Sequence, residues 1–461
     1  METRSFELVV IGSGPAGQKG AICAAKLGKR VAVVERRGVG GGNVHTGSIP
    51  SKTLREAVLY LTGFRQRAFY GRDYMLKEDI SLADLSARVR LVVEREIQVI
   101  RAQLRRNRVT VIEGTARFAD AGTIEVEGAG GTELLRAENV LVACGTRPAR
   151  SESIPVDGRR VLDPDQLPLL AALPREMIVV GAGVIGTEYA SLLATLGIRI
   201  TLVDQRPLFL DFVDRQILEA LSYHMRSRGV VFRLGEKVTS VEIEAAAGRV
   251  TARLESGKTI RGEVLLHAVG RQPNTDLLRP EAAGLGTDDR GRLRVDASFR
   301  TEVPHVYAAG DVIGFPALAS TSMEQGRIAC SHMFGAPVRS APELVPFGIY
   351  TIPEISMVGA TEEQLTAARV PYEVGTAPYA ELAKGQMLGD EDGILKLIFD
   401  PRSLKLLGVH CIGERAAEII HIGQAVLGLG AGLEYFRDTV FNYPTLAEAY
   451  KVAALAGLNR L

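Results

Sequence analysis

The sequence predicts an α/β chain with two glycine-turn βαβ units and a separate α+β region towards the C-terminal end, on three observations. An apolar run from Glu7 to Ile11 ends in GSGPAG and continues as AICAAKLG and RVAVVERR, the order strand, glycine turn, helix, strand. MIVVGAGVIGTEYASLLATLG followed by RITLVDQR repeats that order, marking a second similar domain and not a solenoid. From about Tyr350 the pattern changes to alternating strands such as LKLLGVHCIG and then helical stretches, which fits an α+β domain.

Between the two units, Leu85, Val89, Val93, Ile97, Ile100 and Leu104 recur at helical spacing, with Arg88, Arg90, Arg95, Arg101 and Arg105 as a solvated face. Short β-rich pieces fill Val109 to Val142, and RPARSESIPVDGRR reads as a linker into the second unit.

A chain of 461 residues is too long for one core, and 46% apolar with 24% charged residues describes a soluble globular protein. The net charge of +1 gives no basic patch for nucleic acid or an acidic membrane. No apolar run is long enough for a transmembrane span, and the chain enters a strand almost at once, leaving no room for a signal peptide. Cys23, Cys144, Cys330 and Cys411 are far apart in apolar surroundings. They read as free thiols of a cytoplasmic protein, with neither a structural disulfide nor a metal site expected.

Gly12, Gly14 and Gly17 form G-x-G-x-x-G at a strand-to-helix turn. The first permits the turn, the second lets backbone approach a pyrophosphate, and the third lets helix and strand pack closely. Glu35 ends the next strand, where a carboxylate accepts from a ribose hydroxyl. Gly181, Gly183 and Gly186 repeat the pattern with Asp204 as the acid, which favours NAD over NADP. Arg206 could soften that preference but reads as a solvated loop residue. Two such sites imply two dinucleotides, one a tightly held FAD and the other a mobile nicotinamide nucleotide.

The segment GGGNVHTGSIPSK, Gly40 to Lys52, has the frame G-G-x-C-x-x-x-x-C-I-P-S-K of the pyridine nucleotide-disulfide oxidoreductases, with Asn43 and Ser48 at the two cysteine positions. The resemblance covers essentially the whole chain. TEVPHVYAAGD, ending at Asp311, resembles the family's second FAD motif. LVACGTRP and HAVGRQPNT resemble the crossovers between the FAD and nucleotide domains, and TIPEISMVG with GVHCIGERAAEIIHIG resembles the interface domain. Within the family, GGG-x-x-H-x-G-x-IPSK-x-LR and FNYPTLAEAYKVAALAGLNRL look like the transhydrogenase branch, whose members usually keep Cys where this chain has Asn43. Tyr443 stands where the disulfide reductases have an acid-base His, and Glu448 is kept. With no thiol to protonate, such a base has no task.

The resemblance implies three domains: FAD-binding at 1–150 and 272–345, NAD(P)-binding at 151–271, and dimerisation at 346–461. It implies that Lys52, near the flavin and paired with Glu188, stabilises the reduced flavin. His45 is the third catalytic candidate, weighed evenly against a packing role. The cofactor-binding positions are Gly12, Gly14, Gly17, Glu35, Ser51, Lys52, Gly145, Asp311 and Ala319, with Gly181, Gly183, Gly186, Asp204 and Gly270. Ser48 reads as filler, Tyr443 and Glu448 as closing the partner subunit's flavin pocket, and Glu354 and His410 as fixed points without chemistry. The implied activity is ping-pong hydride exchange between NADPH and NAD+ through FAD, in a homodimer whose further assembly stays open. An NADH-dependent diaphorase or quinone reductase is the alternative, to which Asp204 leans. A catalytically idle flavoprotein serving as a binding subunit is a third reading, opposed by the intact cofactor motifs.

Overall fold

In a computed structural model, residues 3–71, 73–170, 172–244, 247–338 and 344–461 are described. The end of the second expected FAD segment, 339–343, lies outside them. The chain divides into two compact units, one of Met1–Leu54, Ser86–Ala149 and Gly270–Ala341, the other of Arg55–Leu85, Arg150–Val269 and Pro342–Leu461.

In the first unit, β1 (Thr3–Ile11) pairs in parallel with β2 (Val31–Glu35) and β6 (Gly131–Val142), and β2 pairs with β3 (Thr110–Glu113). β4 (Thr115–Asp120) and β5 (Thr123–Gly128) extend the sheet antiparallel beyond β6, and Val306–Ala308 adds a parallel strand to β6. The central strands do not alternate between buried and exposed positions. Leu8, Val9, Val10, Val31, Val33 and Val140 are all buried, the continuous apolar run of a parallel strand covered on two sides. α1 (Pro15–Lys26) crosses β1 to β2 and packs against the helix Ala319–Met333, where a Cβ on Gly326 would stand 2.1 Å from the Ala16 carbonyl oxygen. The arginine-rich segment forms a helix, Leu82–Arg106, with Ile100 and Leu104 buried.

The second unit contains a five-stranded sheet centred on Glu176–Val180, which pairs in parallel with Arg199–Asp204 and Val264–His267. A three-stranded antiparallel sheet runs from Val238 to Gly262. The C-terminal sheet has five antiparallel strands, with Leu406–Ile412 between Ile355–Gly359 and Ile394–Phe399. Helices Ala416–Gly428 and Glu448–Leu458 cover it over a core that includes Phe399, Phe436 and Tyr450.

Candidate active site

The first glycine turn is fixed by backbone crowding. Gly12 has φ +100°, and a Cβ there would lie 2.4 Å from the Ala143 carbonyl oxygen. A Cβ on Gly17 would lie 1.9 Å from the Gly12 carbonyl oxygen, so only glycine lets α1 start so close to β1. A Cβ on Gly14 would meet nothing within 4 Å, which leaves its backbone open to a ligand at the N-terminus of α1. The turn thus fits a dinucleotide pyrophosphate: two glycines seal the protein side and one opens outward.

Glu35, buried at the end of β2, accepts from the Ser13 N–H at 2.9 Å and Ser13 Oγ at 2.8 Å, and from the Arg37 N–H at 3.0 Å. Ser13 Oγ also accepts from the Gly40 N–H at 2.9 Å, tying the carboxylate to the start of the Gly40–Lys52 segment. Ser13 escaped the sequence reading because only its flanking glycines carry the motif.

That segment forms α2 (Gly41–His45) and the start of α3 (Ser48–Leu61). Gly40 and Gly41 take positive φ, and a Cβ on Gly41 would lie 2.9 Å from Gly14 Cα, so this loop borders the dinucleotide turn. Asn43 lies on α2 and Ser48 opens α3. His45 packs its ring against Gly38 and places Nε2 3.1 Å from the Val39 carbonyl oxygen, a bond that fixes the loop. Ser51 Oγ donates to the Ser48 carbonyl at 3.4 Å, and Lys52 follows, half-buried, on α3.

Asp311 follows Gly310, whose φ is +83° and whose Cβ direction points at Ala16 on α1. The second FAD-type motif is therefore at the N-terminal end of α1. Asp311 accepts from Thr146 Oγ1 at 3.1 Å, and Arg271 Nε donates to the same hydroxyl at 2.7 Å. Burial raises the Asp311 carboxyl above its ordinary value, with the Arg271 charge opposing. Thr146 and Arg271 are contacts the motif reading missed; they stand beside the two crossover segments, Gly145 at φ +63° and Gly270 at φ +75°. Ala319 is the first residue of the helix Ala319–Met333.

The second glycine turn repeats the first. A Cβ on Gly181 would lie 2.7 Å from the Ala268 carbonyl oxygen, one on Gly186 1.8 Å from the Gly181 carbonyl oxygen, and one on Gly183 would meet nothing. Asp204 ends its strand, buried, and accepts from the Ala182 N–H at 2.6 Å and the Arg206 N–H at 2.9 Å. Arg206 is not a free loop cation. Its Nε donates to Oδ1 at 3.1 Å and its Nη2 to Oδ2 at 3.0 Å. Glu188, on the helix Val184–Thr195, is buried and accepts from the Tyr350 N–H at 2.8 Å. Lys52 belongs to the first unit and Glu188 to the second.

Three of the four thiols are held in the protonated form. Burial pushes Cys144 and Cys411 up to about 12 and Cys330 higher still. Among the described residues, no helix is long and apolar enough to cross a membrane and no His, Cys, Asp or Glu cluster could hold a metal.

Two glycine turns, each at the end of a strand with parallel neighbours and each faced by a strand-end carboxylate, define an oxidoreductase that works with two dinucleotides. Residues 6–326 match the pyridine nucleotide-disulphide oxidoreductase family, and residues 345–454 match that family's dimerisation domain. A soluble pyridine nucleotide transhydrogenase of Mycobacterium tuberculosis is 54% identical, covering 99% of this chain and 98% of its own length. One from a Marinomonas species is 46% identical over the whole of both chains. Among solved structures, LpdA from Mycobacterium tuberculosis superposes with a TM-score of 0.90 at 30% identity, covering 98% of this chain and 99% of its own. The HOCl-induced flavoprotein disulfide reductase RclA from Escherichia coli has a TM-score of 0.86 at 28% identity, over 97% of this chain and 99% of its own. The chain belongs to the pyridine nucleotide-disulphide oxidoreductase family and is an FAD-dependent oxidoreductase.

Proposed function

We propose that this chain is a soluble NAD(P) transhydrogenase, catalysing NADPH + NAD+ ⇌ NADP+ + NADH by ping-pong hydride transfer without a redox disulfide. The observation that carries this is that Asn43 and Ser48 take the cysteine positions in a chain that keeps two intact dinucleotide turns. Neither side chain can hold electrons, so a thiol exit is closed and the nicotinamide pocket is both entrance and exit. The full-length transhydrogenase relatives support the same reading.

Bound FAD supplies the hydride acceptor and donor that link the two nucleotides. The chain's own residues bind, orient and neutralise. The Gly12–Gly17 turn and the N-terminus of α1 offer backbone N–H groups and partial positive charge to the FAD pyrophosphate, with Glu35 and Asp311 as acceptors for its hydroxyls. Gly181, Gly183, Gly186 and Asp204 do the same for the nicotinamide nucleotide. Lys52 places a cation where negative charge develops on the reduced flavin, Glu188 is the second catalytic candidate, and Ser51, Gly145, Ala319 and Gly270 line the cofactors. His45 holds the loop that carries Asn43. Tyr443 replaces an acid-base His that has no proton to move here.

The proposed FAD domain comprises 1–150 and 272–345, the nucleotide domain 151–271 and the dimerisation domain 346–461. The chain is proposed to act as a homodimer in the cytoplasm, with Tyr443 and Glu448 closing the partner subunit's flavin pocket. Steady-state assays with NADPH and thio-NAD should give parallel double-reciprocal lines. Intersecting lines, or quinone reduction that outpaces nucleotide exchange, would replace this reading with a diaphorase.

A further inference from the structure

We infer that Asp204 and Arg206 form an exchangeable ion pair that lets one pocket accept both NAD and NADP. The inference rests on the proposed function in one respect, that the second glycine turn binds the nicotinamide nucleotide.

An ionised carboxylate has about four lone-pair sites. Among the described residues, Asp204 receives four donors: the Ala182 N–H, the Arg206 N–H, Arg206 Nε and Arg206 Nη2. It is therefore saturated, and a ribose can be accepted only when some donor leaves. The two backbone donors are fixed. The Arg206 carbonyl accepts from the Gly235 N–H at 2.9 Å and the Asp204 carbonyl from the Glu236 N–H at 3.0 Å, anchoring the loop to the neighbouring strand end. The two guanidinium donors are movable, because the Arg206 side chain is 40% exposed while that of Asp204 is 7% exposed. Asp211 Oδ1, 3.7 Å from Arg206 Nη1, offers a second carboxylate close by.

Glu35 provides the internal contrast. Among the described residues its three donors are two backbone N–H groups and the Ser13 hydroxyl, with no guanidinium, as suits a site for a single resident cofactor. At Asp204 the arginine cancels the charge that would repel a 2′-phosphate. With NADP the planar guanidinium moves from the carboxylate to the 2′-phosphate, two of whose oxygens accept its paired N–H groups as the carboxylate oxygens did. With NAD it leaves the two Asp204 acceptor places it occupies to the ribose hydroxyls and stays beside them. Arg206 is thus a specificity-determining residue, and it acts on binding and not on hydride transfer.

Adenosine 2′,5′-bisphosphate and 5′-AMP isolate this end of the nucleotide without any redox step. Their affinities for the FAD-loaded dimer are measured by isothermal titration calorimetry, with FAD content and circular dichroism confirming the fold of each variant. The unaltered protein should bind both. Arg206→Gln should weaken the bisphosphate by about 10- to 100-fold, the loss of charge-assisted hydrogen bonds, and 5′-AMP by less than about 3-fold. Arg206→Lys should recover part of the bisphosphate affinity, and Asp204→Asn should weaken 5′-AMP while sparing the bisphosphate. Equal losses for both probes in Arg206→Gln, or none, would overturn the exchange. If the unaltered protein exchanges hydride between NADPH and thio-NAD while Arg206→Gln keeps its bisphosphate affinity, this inference fails alone. If the unaltered protein binds neither probe, the assignment of the pocket fails first.

Discussion

At the scale of single residues, the two glycine turns separate folding from binding. Gly183 and Gly186 differ by three positions, yet a Cβ would meet nothing at the first and the Gly181 carbonyl oxygen at 1.8 Å at the second. Gly186→Ala is expected to lower stability by about 2 kcal/mol or more, because backbone cannot yield as a side chain does. Gly183→Ala is expected to leave the thermal midpoint nearly unchanged and to weaken NADH binding by about tenfold, by blocking the pyrophosphate's approach. Thermal unfolding and NADH titration of both variants check this, and equal stability losses would refute it. These glycines were legible in the sequence because one motif prescribes all three roles. Ser13 and Arg206 were not. The first depends on a hydroxyl turning back to Glu35, the second on a side chain folding onto a residue two places earlier, and no spacing rule encodes either.

At the scale of elements, the C-terminal sheet hides an ion cluster inside an apolar strand. Lys396, in the middle of Ile394–Phe399, is fully buried and donates to both oxygens of Asp214, at 2.8 and 2.9 Å, and to Glu362. Its cross-strand neighbour His410 is also buried, and desolvation lowers its pKa against the opposing pull of Asp214. Lys396→Met should destabilise by about 3–5 kcal/mol, since Asp214 would be left buried and uncompensated. Adding Asp214→Leu should restore most of that loss, because an apolar pair of similar volume has no charge to desolvate. Urea denaturation of the two variants decides it, and a double variant no better than the single would show that the cluster acts otherwise. Alternating strands made the α+β character readable. The partner of a buried lysine was not, because Asp214 comes from a distant segment and buried charge leaves no periodic trace.

At the scale of the whole molecule, the fold class could be read from two repeats and a change of pattern, and both parallel sheets form where the repeats fall. The pairing of β6 with Val306–Ala308, across a long intervening sequence, has no local signal and follows from the parallel sheet's need for a neighbour on that edge. Chemistry at this scale concerns how much reducing power one chain can hold. With Asn43 and Ser48 in place of a dithiol, anaerobic dithionite titration is expected to end at about two electrons per FAD. An end point near about four would reveal a second electron store and refute the closed exit.

Removing sulfur from the working centre also changes what can poison it. Soft metalloids and electrophiles that silence dithiol enzymes need an accessible thiolate, and desolvation holds Cys144, Cys330 and Cys411 in the thiol form, the last two fully buried. Peroxide likewise attacks the thiolate form. The Gly40–Lys52 segment, with Asn43 and Ser48 in place of a dithiol, therefore offers such agents no thiolate. The balance between the two nicotinamide pools can then be set while thiol-based reductases are themselves being oxidised.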